Sequence, residues 1–504
     1  MFRKFLPFAG LLCCCLFWAC GETAETSGDE KKYNVLFIFS DDQTFSTVGA
    51  LGSTTIHTPN LDRLVNSGTT FTHAYNMGAW NGAVCLASRA MLNCGRSVWH
   101  ADQFRQGWIS GDSTAFQQSW GPLMADAGYA TYMTGKWHID APANEFFERT
   151  GTIRAGMPED AWGHAGMGKA FKELGDGDPA TIMPVGYNRP LGPDDRSWSP
   201  TDTARGGFWK EGRHWSEVVA DEVLTFIESI PTDPRPDFLY VAFNAPHDPR
   251  QAPQRFQDMY PVDSMALPAS FRPLDPDRMA MGAGPALRDE ALAPFPRTPY
   301  AVRTHRSEYY ALITHLDEQI GRVLDALEES GEAERTIIIY TSDHGLAVGN
   351  HGLIGKQNLY DHSIRVPFII AGPGIPAGKR IDEDIYLQDA MATALDVAGI
   401  ERPDYVEFNS VLPLIEGEES SYPAIYGAYT KTQRMIRKDG YKLIVYPRAE
   451  KILLFDLTAD PEEINDLAGD PTQRERVETM FSDLLELQRE MDDPLDLTML
   501  NPAK

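Results

Sequence analysis

The run Tyr33-Asn34-Val35-Leu36-Phe37-Ile38-Phe39-Ser40 constrains the fold of this chain more than any other stretch. It shows no alternation, so a strand built from it is apolar on both faces and both faces must be covered. That suits a central strand of a parallel sheet with helices on either side, and it ends in Asp41-Asp42. Related runs recur at Tyr129–Thr134, Asp237–Phe243, Thr336–Thr341 and Arg365–Ala371. The first three lead into Gly135-Lys136-Trp137-His138, Asn244-Ala245-Pro246-His247 and Ser342-Asp343-His344-Gly345.

Helical signals separate these runs. Thr58-Pro59 opens one helix and Gly68 stops it, and a short strand around Thr70–His73 follows. Leu123–Ala127, Trp215–Ile230, Ser307–Ser330 and Gln388–Ala398 read as further helices. Strands alternating with helices indicate an α/β fold: a large, mainly parallel sheet sandwiched by helices. From about residue 416 the texture changes. Ala424–Tyr429, Arg434–Arg437, Lys442–Tyr446 and Leu453–Asp456 are short strands at hairpin spacing, followed by a helix from about Thr472 to Met491. They predict a small antiparallel sheet with one helix, a division expected in a chain longer than the ~250–300 residues one core usually supports. Residues 139–214 and 249–302 show no sustained period.

The first residues look like an export signal. Arg3 and Lys4 precede an apolar run, Phe5 to Ala19, that is too short to span a membrane as a helix. Cys20, followed by Gly21-Glu22 and a polar stretch, resembles the lipidated first residue of a mature bacterial lipoprotein. Residues 1–19 are therefore expected to be a signal peptide and 20–32 a flexible tether. The expected location is the outer membrane or cell surface, otherwise the periplasm or medium, with a lipid anchor at Cys20 as the membrane attachment. The formal charge of −27 argues against nucleic acid or an anionic membrane surface as a partner. A site for an anionic group must then be built from local positive charge.

Of six cysteines, four lie in the leader, leaving Cys85 and Cys94. Two thiols in an exported protein normally suggest a disulfide. Here, however, residues 85–94 read as a helix stopped by Gly95. Nine steps of ~1.5 Å separate the Cα atoms by ~13 Å, beyond the ~7 Å limit for a bridge. A helix start beside Arg89 suits an anion. From these residues alone, a nucleophile and a buried structural thiol are equally open.

Four predicted strands thus deliver charge-capable groups at their carboxyl ends: Asp41 with Asp42, Lys136 with His138, His247, and Asp343 with His344. Those ends share one edge in a parallel sheet, where ligands of open α/β folds bind. Asp41, Asp42 and Asp343 are hard oxygen donors that call for a cation between them, calcium before magnesium. Zinc would want more His or Cys ligands. Arg89, Lys136 and Lys356 supply charge for an anionic substrate, and His138, His247 and His344 can carry protons near neutral pH.

Cys85-Leu86-Ala87-Ser88-Arg89 with Gly95-Arg96, Gly135-Lys136-Trp137-His138, Pro246-His247, and Ser342-Asp343-His344-Gly345 through His351-Gly352 to Lys356 together resemble the type I sulfatases. These belong to the alkaline-phosphatase-like superfamily and include bacterial carbohydrate sulfatases and iduronate-2-sulfatase-like members. The likeness continues through Leu454-Phe455-Asp456-Leu457 and Asn465-Asp466-Leu467-Ala468. It implies a catalytic α/β domain over 33–415 and a C-terminal α+β subdomain over 416–504. It also implies a maturation enzyme that oxidises Cys85 to formylglycine before folding. The hydrated aldehyde is a gem-diol; one oxygen attacks sulfur and the other later expels sulfate. By the same resemblance Arg89 and Lys136 hold the diol and His138 is the base. His247 protonates the leaving alkoxide, and Lys356 binds sulfate oxygens. One Ca2+ would sit against Asp41, Asp42, the diol at Cys85, Asp343 and His344. Two positions depart from the common pattern: Ala87 replaces a proline, and His344 stands where many members have Asn.

The expected substrate is a sulfated polysaccharide or oligosaccharide, because a surface lipoprotein meets polymers too large to import. Aromatic and cationic residues in and just after the two irregular stretches are candidates for sugar subsites. They are Trp162, His164, Arg189, Trp198, Arg205, Trp209, Arg213, His214, Arg250, Arg303, His305 and Arg306. Two other readings stay open: a phosphodiester or phosphonate monoester hydrolase on the same fold, and a non-catalytic carbohydrate-binding lipoprotein in which Cys85 remains a thiol.

Overall fold

In the computed structural model, which describes residues 32–154, 167–175, 177, 181–204, 209–230 and 233–502, the opening apolar run is β1 (Asn34–Ser40), buried at every position. The expected signal peptide, Cys20, Trp162, His164 and Arg205 lie outside the described residues. Along β1, Val35, Phe37 and Phe39 enter one apolar cluster, and Leu36 and Ile38 enter another. The absence of alternation therefore reflects two cores, one on each face of the sheet.

The other strands are β2 (Gly68–Tyr75), β3 (Gly78–Ala79), β4 (Ala130–Lys136), β5 (Arg149–Arg154), β6 (Trp209–Lys210), β7 (Arg213–His214), β8 (Asp237–Ala242), β9 (Thr336–Ser342), β10 (Arg365–Ala371), β11 (Lys379–Tyr386), β12 (Ile425–Tyr429), β13 (Gln433–Lys438), β14 (Tyr441–Tyr446) and β15 (Lys451–Asp456). The large sheet has the order β11-β2-β10-β9-β1-β8-β4-β5. Only β10 runs against its neighbours in it. Helices Pro59–Ser67, Trp215–Ser229 and Pro299–Glu329 cover one face with Leu61, Leu64, Val219, Val223, Leu316 and Ile320. Helices Val84–Cys94, Trp120–Asp126 and Asp389–Val397 cover the other with Met91, Trp120, Met124 and Leu395. Among the described residues no helix is long and apolar enough to cross a membrane.

The second sheet has the order β15-β14-β13-β12-β3, antiparallel from β12 to β15. Helix Arg474–Glu490 packs its Val477, Phe481 and Leu484 into the cluster that also holds Val35, Phe37 and Phe39. The edge strand β3 comes from far upstream and pairs in parallel, Gly78 with Ala428 and Ala79 with Tyr429. It lies just ahead of helix Val84–Cys94, so the second sheet anchors the segment that carries Cys85.

Helix Val98–Ser110 was not expected from the sequence, and helix Pro299–Glu329 starts two turns before Ser307. Thr298 Oγ1 accepts from Ala301 N at 3.1 Å and Pro299 takes the first helical position, a start signal inside a stretch read as irregular. Edge strands β5 and β11 also escaped the pattern: β11 reads Lys-Arg-Ile-Asp-Glu-Asp-Ile-Tyr, charged as edges commonly are.

The end of β4 depends on Gly135. Its φ is +92°, the register with β5 slips between Met133 and Gly135, and a Cβ there would run into the Ala242 carbonyl oxygen of β8. Gly135→Ala should therefore cost about 3 kcal/mol through strain and overpacking. It should also displace Lys136. Denaturant unfolding and activity assays check this, and a variant with wild-type stability and turnover would refute it.

Candidate active site

Strands β9, β1, β8 and β4 are consecutive in the sheet and parallel, so their carboxyl ends open side by side. Asp343 follows β9, Asp41 and Asp42 follow β1, His247 lies in the loop after β8, and Lys136 ends β4 with His138 two residues on. The strand ends are tied together: Asp41 N donates to Ala245 O (3.0 Å), Asp343 N to Ser40 O (3.1 Å), and Asp42 N to Asp343 Oδ1 (3.1 Å). Asp42 and His138 adopt left-handed backbone, φ 70° and 51°. Such strain persists only where neighbours over-determine it. At Asp42 the neighbour is Tyr309, whose hydroxyl donates to Asp42 O (2.6 Å) and accepts from Thr44 N (3.1 Å).

Helix Val84–Cys94 brings Cys85 to the same place in its first turn, with Sγ 3.3 Å from Asp41 Oδ1 and 3.7 Å from Asp42 Oδ1. Gly95 closes the helix at φ 67°, its N–H on Met91 O at 2.8 Å. Cys94 is buried and free, as the helical spacing requires.

Three buried cations meet three buried carboxylates. Arg89 Nε lies 3.0 Å from Asp343 Oδ2, its Nη2 lies 3.6 Å from Asp41 Oδ2, and its Nη1 donates to Lys136 O at 2.7 Å. The Lys136 ammonium pairs with Asp41. Lys356 Nζ lies 2.5 and 2.7 Å from the Asp42 oxygens and 3.0 Å from Cys85 Sγ. The side chains themselves thus supply part of the positive charge that the three acids call for.

The balance is nevertheless uneven. Burial opposes charge on Asp343, but Arg89, Lys136 and Lys356 prevail and hold its carboxyl below the usual range. At Asp42 burial, joined by Asp41 and Asp343, outweighs Lys356 and pushes the carboxyl well up. Burial and the Asp343 and Asp41 charges likewise push the Cys85 thiol well above its ordinary range. The encoded cysteine is a neutral thiol here, not an activated thiolate.

Ligand atoms of Asp41, Asp42, Cys85 and Asp343 all lie within 4.8 Å of one another. Three carboxylates, one of them short of ionisation, fit a hard divalent cation. The sulfur does not, since calcium and magnesium take oxygen; an oxygen at position 85 would complete the set. Among the described residues His344 does not join this group. Its Nδ1 faces the Gly345 carbonyl at 3.1 Å, and burial lowers its pKa to about 3. His247 Nδ1 meets the Asp248 carbonyl at 2.7 Å, leaving Nε2 3.8 Å from Asp42 Oδ2. His138 is half-buried with its Nδ1 unpaired. Burial, then Lys356 and Lys136, disfavours charge on His247; burial, then Lys136 and Arg89, does so on His138.

Sequence reasoning missed Tyr309 and Asn76, whose Nδ2 donates to Asp343 O at 3.0 Å. Their contacts are to main-chain atoms of the acidic residues, which no local motif signals. Among the candidate sugar residues, Arg189 is buried on Glu308 with both contacts at 2.6 Å, and Arg250 Nη1 lies 2.9 Å from His305 Nδ1. His214 caps the helix Trp215–Ser229 and carries Trp209 edge-on. Trp198 lies against Arg189, Arg213 pairs with Asp221, and Arg306 reaches Tyr310 Oη at 2.8 Å. Arg303 is half-buried in helix Pro299–Glu329. These contacts put Arg189, Arg250, His214 and His305 in the framework of the loops rather than on an open surface.

Residues 33–400 match the family model described as Sulfatase, and residues 349–490 match that of N-sulphoglucosamine sulphohydrolase, C-terminal. An arylsulfatase of Clostridium perfringens is 30% identical over 89% of this chain and 92% of its own. An N-acetylglucosamine-6-O-sulfatase of Bacteroides thetaiotaomicron is 27% identical over 92% of this chain and 88% of its own. A protein solved in complex with its substrate D-glucosamine-2-N,6-O-disulfate shares the fold, with TM-score 0.67 and 22% identity over 92% of this chain and 99% of that one. The chain therefore belongs to the sulfatase family, within the alkaline-phosphatase-like superfamily, and is a sulfatase hydrolase.

Proposed function

We propose that this sulfatase removes O-sulfate groups from a sulfated carbohydrate, with formylglycine made from Cys85 and one Ca2+ held by Asp41, Asp42, Asp343 and residue 85. The observation that carries the reading is the meeting of Cys85 Sγ with the carboxylates of Asp41 and Asp42 and the ammonium of Lys356, where four neighbouring strands end. The hydrated aldehyde would supply oxygen at position 85, and the cation would supply charge against a developing sulfuryl group.

The rest falls to this chain's own residues. Arg89 and Lys136 fix Asp343 and Asp41 while keeping water out of a fully buried ion cluster. Lys356 Nζ, 3.0 Å from Sγ, stands where an anionic ester would arrive at residue 85. His247 holds its Nδ1 proton on the Asp248 carbonyl, so Nε2 faces the leaving oxygen; it can hand over a proton only as the imidazolium, which the negative charge of a bound sulfate ester would favour by offsetting Lys356 and Lys136. His138, its Nδ1 unpaired, serves as the base at residue 85. A carbohydrate substrate is supported by the relative named for N-acetylglucosamine 6-O-sulfate. Export as a lipoprotein rests on Arg3, Lys4, the apolar run and Cys20.

Three outcomes follow from this reading. Mass spectrometry of the peptide spanning Cys85, from the native host, should find oxoalanine, and Cys85→Ala should lose at least ~10⁴-fold in kcat; a peptide carrying only cysteine would defeat the proposal. Calcium in excess should raise the melting temperature of chelator-treated protein, by about 2.7 kcal/mol of stabilisation at 100 times Kd. No response to calcium, or a larger one to magnesium, would reassign the ion. His247→Ala should cost ~10²-fold or more on a sugar sulfate and far less on an activated aryl sulfate, which needs little proton assistance. Equal losses would remove the acid role, and faster turnover of a phosphodiester than of any sulfate ester would change the substrate class.

A further inference from the structure

The irregular stretch 249–302 brings one guanidinium to the edge of the site. Arg288 Nη1 lies 2.6 Å from Asp248 Oδ2 and 3.1 Å from Asp289 Oδ1. Each carboxylate leads to a different reacting group. Asp248 takes the Nδ1 proton of His247 on its main-chain carbonyl at 2.7 Å, with its Oδ1 3.5 Å from the same nitrogen. Asp289 Oδ2 accepts from Gln357 Nε2 at 2.8 Å, and Gln357 Oε1 accepts from the main-chain N–H of Lys356 at 3.1 Å. Arg288 thus joins the loop bearing the imidazole to the loop bearing the ammonium. Asp248, Asp289, Gln357 and Arg288 are all buried, with Arg288 the most exposed at 8%. Its guanidinium carbon lies 5.4 Å from the Tyr187 ring centroid, which limits its freedom from a third loop.

Two carboxylates buried this close would repel each other without a shared cation. The Arg288 guanidinium is that cation: Nη1 donates a hydrogen bond to Asp289 Oδ1 and holds Asp248 Oδ2 as an ion pair. We infer that Arg288 is a positioning residue that sets His247 and Lys356 in register, so that leaving-group protonation and sulfate binding are coupled through one side chain. The inference rests on the sulfatase reading and on the roles it gives His247 and Lys356.

The test compares kcat and KM of wild type, Arg288→Met, Arg288→Lys and Asp289→Asn on an activated aryl sulfate and on an alkyl or sugar sulfate. His247→Ala serves as reference, and melting temperatures are recorded. Arg288→Met should lose ~10²-fold in kcat on the alkyl or sugar sulfate and less than ~10-fold on the aryl sulfate. KM should rise on both, and Arg288→Lys should recover part of the loss. Asp289→Asn cuts only the arm to Lys356, so it should raise KM on both substrates while leaving the ratio of their kcat values as in wild type. If Arg288→Met loses equally on both substrates while His247→Ala still discriminates, the coupling is wrong and the acid role stands. If His247→Ala itself does not discriminate, the acid role falls and the inference falls with it. Should Arg288→Met fail to fold, Asp289→Asn decides: an unchanged KM overturns the inference.

Discussion

Asp41, Asp42 and Asp343 are buried together against Arg89, Lys136 and Lys356, and the surrounding architecture is what makes such an arrangement tolerable. Taking each ion out of water costs several kcal/mol, recovered only when partners are held in place. The holding is done by strand ends in fixed register, by a helix whose first turn delivers Cys85 and Arg89, and by Tyr309 gripping the main chain at Asp42. A β1 that is apolar on both faces is part of the same requirement, since a strand locked between two cores cannot slide and spoil the pairing. The cluster is still not self-sufficient: Asp42 retains a raised carboxyl and Cys85 a raised thiol.

Much of this was legible because β1, β4, β8 and β9 are apolar runs with a polar terminus, so a reader can see both the sheet and what lies at its edge. The acids, Lys136, His138 and His247 came with those termini. Their partners did not. Asp248 adjoins His247 in sequence, yet its use of a main-chain carbonyl is invisible there, and Arg288 stands in a stretch without period. His344 marks the opposite limit. Its place after β9 suggested a ligand, and the contact of its Nδ1 with the Gly345 carbonyl leaves Nε2 as the nitrogen for that role. Residue type and strand position gave its neighbourhood but not the direction of its ring. β11 and the early turns of helix Pro299–Glu329 were hidden for a related reason: one is a charged edge, and the other begins inside a loop-like composition.

The described parts of the two irregular stretches form walls. Asn188 N donates to Ala291 O and Arg189 N to Leu292 O, while Glu290 accepts the N–H groups of Ile354 and Gly355 just before Lys356. Buried main-chain groups outside strands and helices must find such partners. Long connections that do so behave as packed structure, with cationic side chains such as Arg189 and Arg297 neutralised inside them by Glu308 and Glu290.

The two-residue strand β3 has a consequence for the timing of synthesis. Cys85 is 2% exposed in the finished fold, so the oxidation proposed for it would have to take place while the chain is open. β3, a few residues upstream, has no partner until residues 428 and 429 exist, about 350 residues later. At 5–20 residues per second that interval is roughly 20–70 s on the ribosome. Sequence separation between β3 and β12 thus works as a delay line, keeping the cysteine segment unlatched until the last fifth of the chain is made.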